Sequence, residues 1–301
     1  MGDSSHSLMS AKHLEARASG NQSLNACHVL SIDVDDLLTA NADFFDESLP
    51  GQHRNRIADD ILATLGALQA SDAKATFFVN ARYFDQDAEI LKEISACGHT
   101  IASHGFMHRN VTLLTLEEFE RDLCESLRIL SKVQTPVIGY RPPAFSMPYD
   151  EQHFRILRAN GIRYISSGIG VARSNAPRVD EPVLVHDDLV HVPISTLRLL
   201  GGRVKYPIGY GVASRLLPEG LYLWTMRAWL RRRRFFHYYC HSFEVAGLDP
   251  EVRVPFRGAA ASISTRIYAL RCRERAEYFK RIFTAARFGS IETRLFEDGE
   301  V

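Results

Sequence analysis

The sequence predicts an α/β fold, a parallel sheet of βα units closing into a distorted barrel, and three observations carry that prediction. Short β-rich runs alternate with amphipathic stretches of helical length along most of the 301 residues. Each cluster of acids, histidines or arginine directly follows one of the β-rich runs, the placement expected at the carboxyl ends of barrel strands. No internal repeat occurs, and no apolar run reaches the roughly 18 residues that would suggest a membrane-spanning helix.

The elements follow in order. Val29–Ile32 reads as a buried strand that ends in acids. Ile57, Ile61, Leu62, Leu65 and Leu68 recur at helical spacing. Ala75–Val79 is a second strand, Ala88–Ala96 a helix stopped by Gly98, and Thr100–Ser103 a third strand. Thr115 and Glu118 have capping-box spacing and open a helix through Phe119, Leu123, Leu127 and Leu130. Pro136–Tyr140 is the next strand, Asp150 caps a helix ending at Gly161, and Ile162–Ile165 follows as a strand. Leu184–His186, His191–Ser195 and Phe235–His241 are read as strands, then a long helix over Ser264–Phe288 and a last strand at Ile291–Leu295. Six to eight such units suffice to close a barrel.

Composition sets the class. An apolar fraction of 46% and a charged fraction of 24% are those of a soluble globular protein. With 36 basic and 36 acidic residues the formal net charge is zero, which gives no electrostatic footprint for nucleic acid. A core of this size needs no metal for stability, so a bound metal would serve chemistry. The five cysteines, Cys27, Cys97, Cys124, Cys240 and Cys272, are scattered and form no C-x-x-C pair, as expected for reduced thiols. Residues 1–26, rich in Ser, Asn, His and Gly, read as a mobile leader without a secretory apolar core, and 27–301 as a single catalytic domain. A cytoplasmic location follows as an expectation. In Leu221–Phe236, aromatics and leucines lead into Arg231–Arg234. That pattern fits a helix packed on the barrel with a solvated basic end. Its alternative is a peripheral contact with an anionic inner-membrane surface.

Four clusters carry chemistry. In Asp33-Val34-Asp35-Asp36 an extended backbone would send Asp33 and Asp35 to one face and Asp36 to the other. Crowded acids of this kind call for a cation or an arginine. Ser103-His104-Gly105-Phe106-Met107-His108 places two imidazoles four residues apart across a glycine turn, a spacing that can grip one metal. With one carboxylate, two histidines leave coordination positions open for water and substrate. Arg141, set between a strand and Pro142-Pro143, is held rigidly and suits a carboxylate clamp. In His237-Tyr238-Tyr239-Cys240-His241, the two histidines share a face, and His241, near the strand end and Glu244, is the candidate titrating acid.

Taken together, the acidic motif, S-H-G-F-M-H, R-P-P-A-F and the late histidine resemble the NodB-homology domain of polysaccharide deacetylases, carbohydrate esterase family 4, from about Leu30 to Ser242. A-S-H-G-F-M-H-R-N-V, G-Y-R-P-P-A-F-S-M, V-P-I-S-T-L-R-L-L-G and H-S-F-E are similar to the subgroup found in bacterial exopolysaccharide clusters, which extends the likeness to the C-terminus. The resemblance implies a distorted (β/α) barrel of seven or so units. It also implies metal-dependent hydrolysis of an N-acetyl group on an amino sugar, such as an intracellular glycan, glycolipid or nucleotide-sugar precursor.

By that resemblance Asp33 is the general base; Asp35, His104 and His108 are the metal ligands; Arg141 holds Asp33. The Phe145 N–H contributes to the oxyanion site and His241 is the general acid. One divalent ion is implied, zinc first, with cobalt, nickel, manganese or iron suited to the same ligands. The D-V-D-D spacing keeps Asp36 open as the carboxylate ligand in place of Asp35. Ser242 and Phe243 stand where the subgroup has Pro and Trp, and His191 where an acid is common. Glu244 and Asp188 are the two candidates to orient His241. The rival functions are an amide, formamide or cyclic-imide hydrolase of the same fold and a catalytically degenerate carbohydrate-binding protein.

Overall fold

The run His28–Val34 forms β1, apolar at alternate and intervening positions and buried beyond its first residue, as a strand covered on both faces requires. It is the centre of the architecture in a computed structural model that describes residues 28–36, 56–168, 180–200, 203–247 and 275–297. On one edge β1 pairs in parallel with β2 (Thr76–Val79), and on the other with β10 (His237–His241), in a register that sets Asp33 beside His241. The short β11 (Phe288–Gly289) also joins the start of β1.

Beyond β2 come β3 (Thr100–Ser103), β4 (Gly139–Tyr140), β5 (Tyr164–Ile165) and β7 (Leu189–His191), all parallel, with β6 (Val183–His186) antiparallel at the edge. The strand order is β10-β1-β2-β3-β4-β5-β7-β6, and β8 (Leu197–Leu199) with β9 (Val204–Tyr206) makes a separate hairpin. The expected distorted (β/α) barrel is therefore present as a curled half-barrel. Its open side is crossed by irregular backbone: Ser195 N–H donates to His237 O at 3.3 Å, and Tyr239 N–H to Gly209 O at 2.7 Å.

Helices cover the outside. From α1 (Ile57–Gln69), Ile61, Leu65 and Leu68 pack with Leu30 and Ile32 of β1, Phe77 of β2, and Phe279 and Phe283 of α8 (Arg275–Phe283) in the main core. The other described helices are α2 (Glu89–Ala96), α3 (Leu116–Leu130), α4 (Glu151–Ala159), α5 (Gly211–Ser214), α6 (Glu219–Leu230) and α7 (Ser242–Ala246). Thr115 and Glu118 form the reciprocal capping box of α3, and Asp150 accepts from His153 N–H at the start of α4. Among the described residues no helix is long and apolar enough to cross a membrane.

Several sequence expectations shift. Ile291–Leu295 is helical rather than a strand, because Ser290 Oγ accepts the Thr293 N–H at 3.1 Å and so starts a helical turn. The last strand is Phe288–Gly289 instead, and the preceding helix stops at Phe283; residues 264–274 lie outside the described residues. The strand read over His191–Ser195 is Leu189–His191, since Pro193 has no N–H to continue a ladder. Pro136–Tyr140 shortens to Gly139–Tyr140 for the same reason at its start. The leader at 1–26 also lies outside the described residues.

In α6, Tyr222, Leu223, Met226 and Trp229 are buried, as are Phe235 and Phe236 just beyond it. Leu221, Trp224 and Arg231–Arg234 remain on the surface. The helix therefore packs on the barrel by its inner side, and its outer side and the arginines that follow it remain exposed.

Candidate active site

Every cluster singled out above except the start of β10 sits where a strand of the sheet ends. Asp33 and Asp35 leave β1, His104 follows β3, Arg141 follows β4 and His241 closes β10. Asp33, Asp35, His104, Arg141 and His241 are all buried, and His108 is largely so.

Asp35, His104 and His108 converge, with one ligand atom from each lying within 4.8 Å of the others. His108 Nε2 is 3.4 Å and His104 Nε2 3.9 Å from Asp35 Oδ2. Among the described residues neither Asp35 oxygen accepts a hydrogen bond, although the side chain is fully buried. An unpaired buried carboxylate is costly unless a cation compensates it. His104 Nδ1 lies 2.7 Å from the Arg141 carbonyl, which can only accept, so Nδ1 carries the hydrogen and Nε2 keeps its lone pair for a metal. Burial, reinforced by His108, pushes the His104 pKa down to about 3, so the ring is neutral. These features fit a divalent cation. Asp36 lies apart from this cluster and accepts a close hydrogen bond from the Tyr83 hydroxyl.

The turn that carries the two histidines is held from outside. Asp122 of α3 accepts from Phe106 N–H and from Met107 N–H, each at 2.8 Å. Gly105 has φ +76°, and a Cβ there would come within 2.8 Å of Asp122 Oδ2, so glycine serves both the turn and this clamp. The sequence reading missed Asp122, because an acid on an amphipathic helix looks solvated.

Arg141 is fully buried and donates from Nη1 to Asp33 in a close ion pair. Its Nη2 donates to Ser31 Oγ at 2.7 Å and to Ser166 Oγ at 2.9 Å. The guanidinium lies 4.0 Å from the Phe78 ring centroid and 4.7 Å from that of Tyr239. His237 extends this chain: its Nδ1 donates to Pro193 O at 2.9 Å, so Nε2 accepts from Ser31 Oγ at 2.7 Å. Burial, then Arg141, hold His237 well below the usual imidazole range. It is a neutral structural member that fixes Ser31 beneath the arginine. Asp33 Oδ2, the oxygen Arg141 does not engage, is 3.6 Å from His104 Nε2.

On β10, His241 Nε2 lies 3.0 Å from the Tyr239 hydroxyl, and His241 Nδ1 is 3.6 Å from Glu244 Oε2. Glu244 is fully buried, accepts from His241 N–H at 3.0 Å and pairs closely with Arg215. Burial works against the His241 cation, but Asp35 and then Glu244 override it and raise the pKa to about 9. Glu244 is thus the acid beside His241, whereas Asp188 is exposed and pairs with Arg158 at 2.8 Å.

The amide expected to serve an oxyanion is otherwise engaged. Phe145 N–H donates to Pro142 O at 3.0 Å within its own turn, where Ala144 and Phe145 both adopt positive φ. The turn hydrogen bond claims the donor, and the Phe145 ring instead packs edge-on against Tyr239 at 5.3 Å. His191, buried, bonds the Tyr149 hydroxyl at 2.7 Å.

The class these features define is a curled parallel α/β sheet that gathers an ion-paired acid, a carboxylate without hydrogen-bond donors and imidazoles at its strand ends, the rim where such folds place their sites. Residues 51–165 match the model of the polysaccharide deacetylase family, and residues 167–295 match a domain of unknown function, DUF3473. The first match contains His104, His108 and Arg141, the second His241, while Asp33 and Asp35 precede both. A peptidoglycan-N-acetylglucosamine deacetylase of Bacillus cereus is 29% identical over 87 residues, covering 29% of this chain, which spans 30% of that relative's length. A Mycobacterium smegmatis structure assigned to the polysaccharide deacetylases superposes with a TM-score of 0.53 at 20% identity, covering 86% of this chain and 91% of that one. A Bacillus anthracis pseudoenzyme of carbohydrate esterase family 4 gives 0.48 at 13% identity over 91% of this chain and 66% of that one.

Proposed function

We propose that the protein hydrolyses the N-acetyl amide of an amino-sugar substrate and releases acetate, with one divalent cation as cofactor. The match of residues 51–165 to the polysaccharide deacetylase model supports the reaction class. The observation that carries the reading is a division of labour at one strand end. Asp35 lies unpartnered beside His104 and His108, while Asp33, two residues earlier, is tied by Arg141.

Asp35, His104 and His108 would hold the cation; zinc suits two imidazoles and a carboxylate. Such an ion polarises the amide carbonyl and acidifies a nearby water. Asp33 acts as general base: Arg141 fixes one of its oxygens, and the other takes a proton from the attacking water. His241, an imidazolium oriented by Glu244, gives a proton to the departing amine nitrogen, so the C–N bond breaks toward acetate and free amine. Phe145 and Tyr239 wall the site and keep water from the Arg141–Asp33 pair.

The test measures bound metal and acetate release from chito-oligosaccharides, N-acetylated nucleotide sugars and lipid-linked sugars. His104→Ala and His108→Ala are expected to lose the metal and at least ~10³-fold in rate, because several kcal/mol of transition-state stabilisation go with it. Retention of both metal and hydrolysis in these variants would sink the proposal. Hydrolysis of formamides or cyclic imides without acetate release from any sugar would move the substrate class away from carbohydrates.

A further inference from the structure

We infer that Asn80 is a further member of this site, its side-chain amide donating a hydrogen bond to the carbonyl oxygen of the acetyl group under attack; this rests on the deacetylase reading above. The strand register places it. Val34, Val79 and Ser103 are aligned across β1, β2 and β3. Asn80 N–H donates to Val34 O at 3.1 Å and His104 N–H to Val79 O at 2.9 Å, so the ladder continues one step past the strands. The next row across the sheet is Asp35, Asn80 and His104, with Asn80 between two of the candidate metal ligands.

Alternation sets the face. Phe78, two residues earlier on β2, turns its ring under Arg141 at 4.0 Å, on the side where Arg141 meets Asp33. Asn80 keeps extended dihedrals, φ −73° and ψ 102°, and therefore shares that side.

A structural role for the side chain is not in use. Asn80 is the residue before a single helical turn over Ala81–Phe84, where an asparagine ordinarily caps the first free N–H groups, yet it makes no capping bond. It is fully buried, and among the described residues neither Oδ1 nor Nδ2 has a hydrogen-bond partner. A buried primary amide left without partners costs free energy, and native proteins keep such groups where a ligand completes them. Phe145 N–H, the oxyanion donor that the family resemblance implies, is bound to Pro142 O. A side-chain amide in the row of Asp35 and His104 can supply a neutral donor there.

The experiment compares Asn80→Leu, which keeps the branched four-atom skeleton and removes both polar atoms, with Asn80→Asp, which keeps an oxygen and removes the donor. Four quantities are read: thermal melting of the metal-free protein, zinc affinity, affinity of the zinc-loaded protein for acetohydroxamic acid, and kcat/KM for acetate release from chito-oligosaccharides. Asn80→Leu is expected to melt no lower than the wild type without metal and to bind zinc equally well. Both variants are expected to bind acetohydroxamic acid at least ~10-fold more weakly and to lose about 10²–10³-fold in kcat/KM.

A lower melting temperature for metal-free Asn80→Leu with unchanged acetohydroxamate affinity makes the residue structural and overturns the inference. Loss of zinc by Asn80→Leu but not by Asn80→Asp makes Oδ1 a metal ligand and overturns it too, as does a wild type that binds no acetohydroxamic acid. If the wild type releases no acetate from any sugar, the deacetylase reading fails while the melting and acetohydroxamate results still decide Asn80.

Discussion

Two buried carboxylates sit at opposite ends of the same sheet and are treated in opposite ways. Glu292 lies at the amino ends of the strands, where it accepts from the Tyr164 hydroxyl, from Thr76 Oγ1 at 2.8 Å and from Thr100 Oγ1 at 2.5 Å. Those three donors are the first residues of β5, β2 and β3. Asp35 lies at the carboxyl end of β1 and has no donor on either oxygen among the described residues. The acid that ties strands together is satisfied by donors, whereas the acid at the proposed cation site is left without them. Barrel folds divide their two rims between stability and chemistry in this way.

The comparison can be broken most sharply at Asp35. Asp35→Asn keeps the shape and removes the charge, so metal binding should vanish and acetate release fall by on the order of 10³-fold or more. The metal-free variant should also show a lower His241 pKa, because Asp35 is the largest raising contribution to it, and an unchanged His241 titration by NMR would show that the two groups do not interact.

Asp122→Ala comes next. It frees the Phe106 and Met107 amides but touches no ligand, so metal affinity should weaken about 10–100-fold, the range seen when supporting groups around a metal are removed. Titration against a competing chelator reads this directly, and unchanged affinity would mean the turn holds itself.

At the other rim, Glu292→Gln should cost about 1–3 kcal/mol of stability through mispaired buried hydroxyls, with kcat of the folded enzyme unchanged. Urea unfolding and steady-state kinetics on the same preparation separate the two.

The smallest effect expected is a displaced pH limb. Without a cation, His241 raised to about 9 is an imidazolium below that pH and neutral above it. A cation on Asp35 offsets the largest raising contribution, so in the loaded enzyme kcat/KM should fall along a limb that lies below that value. Glu244→Gln removes the next one and should move it down by about one further unit. A limb indifferent to Glu244 would detach His241 from the protonation step.

Local signals made much of this legible. The strand Thr100–Ser103 and the capping box of Thr115 and Glu118 were readable because both depend on residues within a few positions of each other. The two histidines were readable because their spacing across Gly105 is itself the device. What escaped depends on contacts far apart in the chain. Asp122 reaches a turn 15 and 16 residues away through space, and nothing beside it marks that use. His237 shows the same limit: paired with His241 by alternation, it proves to be a strut for Ser31, 206 residues away. The misread Ile291–Leu295 failed for a local reason, since its apolar residues favour a strand but Ser290 caps a helix start. The Phe145 amide could not be placed from sequence, because the turn that engages it with Pro142 O passes through Ala144 at positive φ.

The position of β1 also bears on how the chain is made. Its first partner, β2, follows within the next few dozen residues, but β10 arrives about 200 residues later. At about 5–20 residues per second of synthesis, that second edge waits roughly 10–40 s for its neighbour. During the wait an apolar strand presents unpaired N–H and C=O groups, the kind of template on which nascent chains aggregate. His241 and Asp33 are cross-strand partners in that last pairing, so the acid and base would meet only as the sheet is finished. A chain released before β10 would carry the candidate metal ligands without the candidate proton donor, and with one edge of its central strand still unpaired.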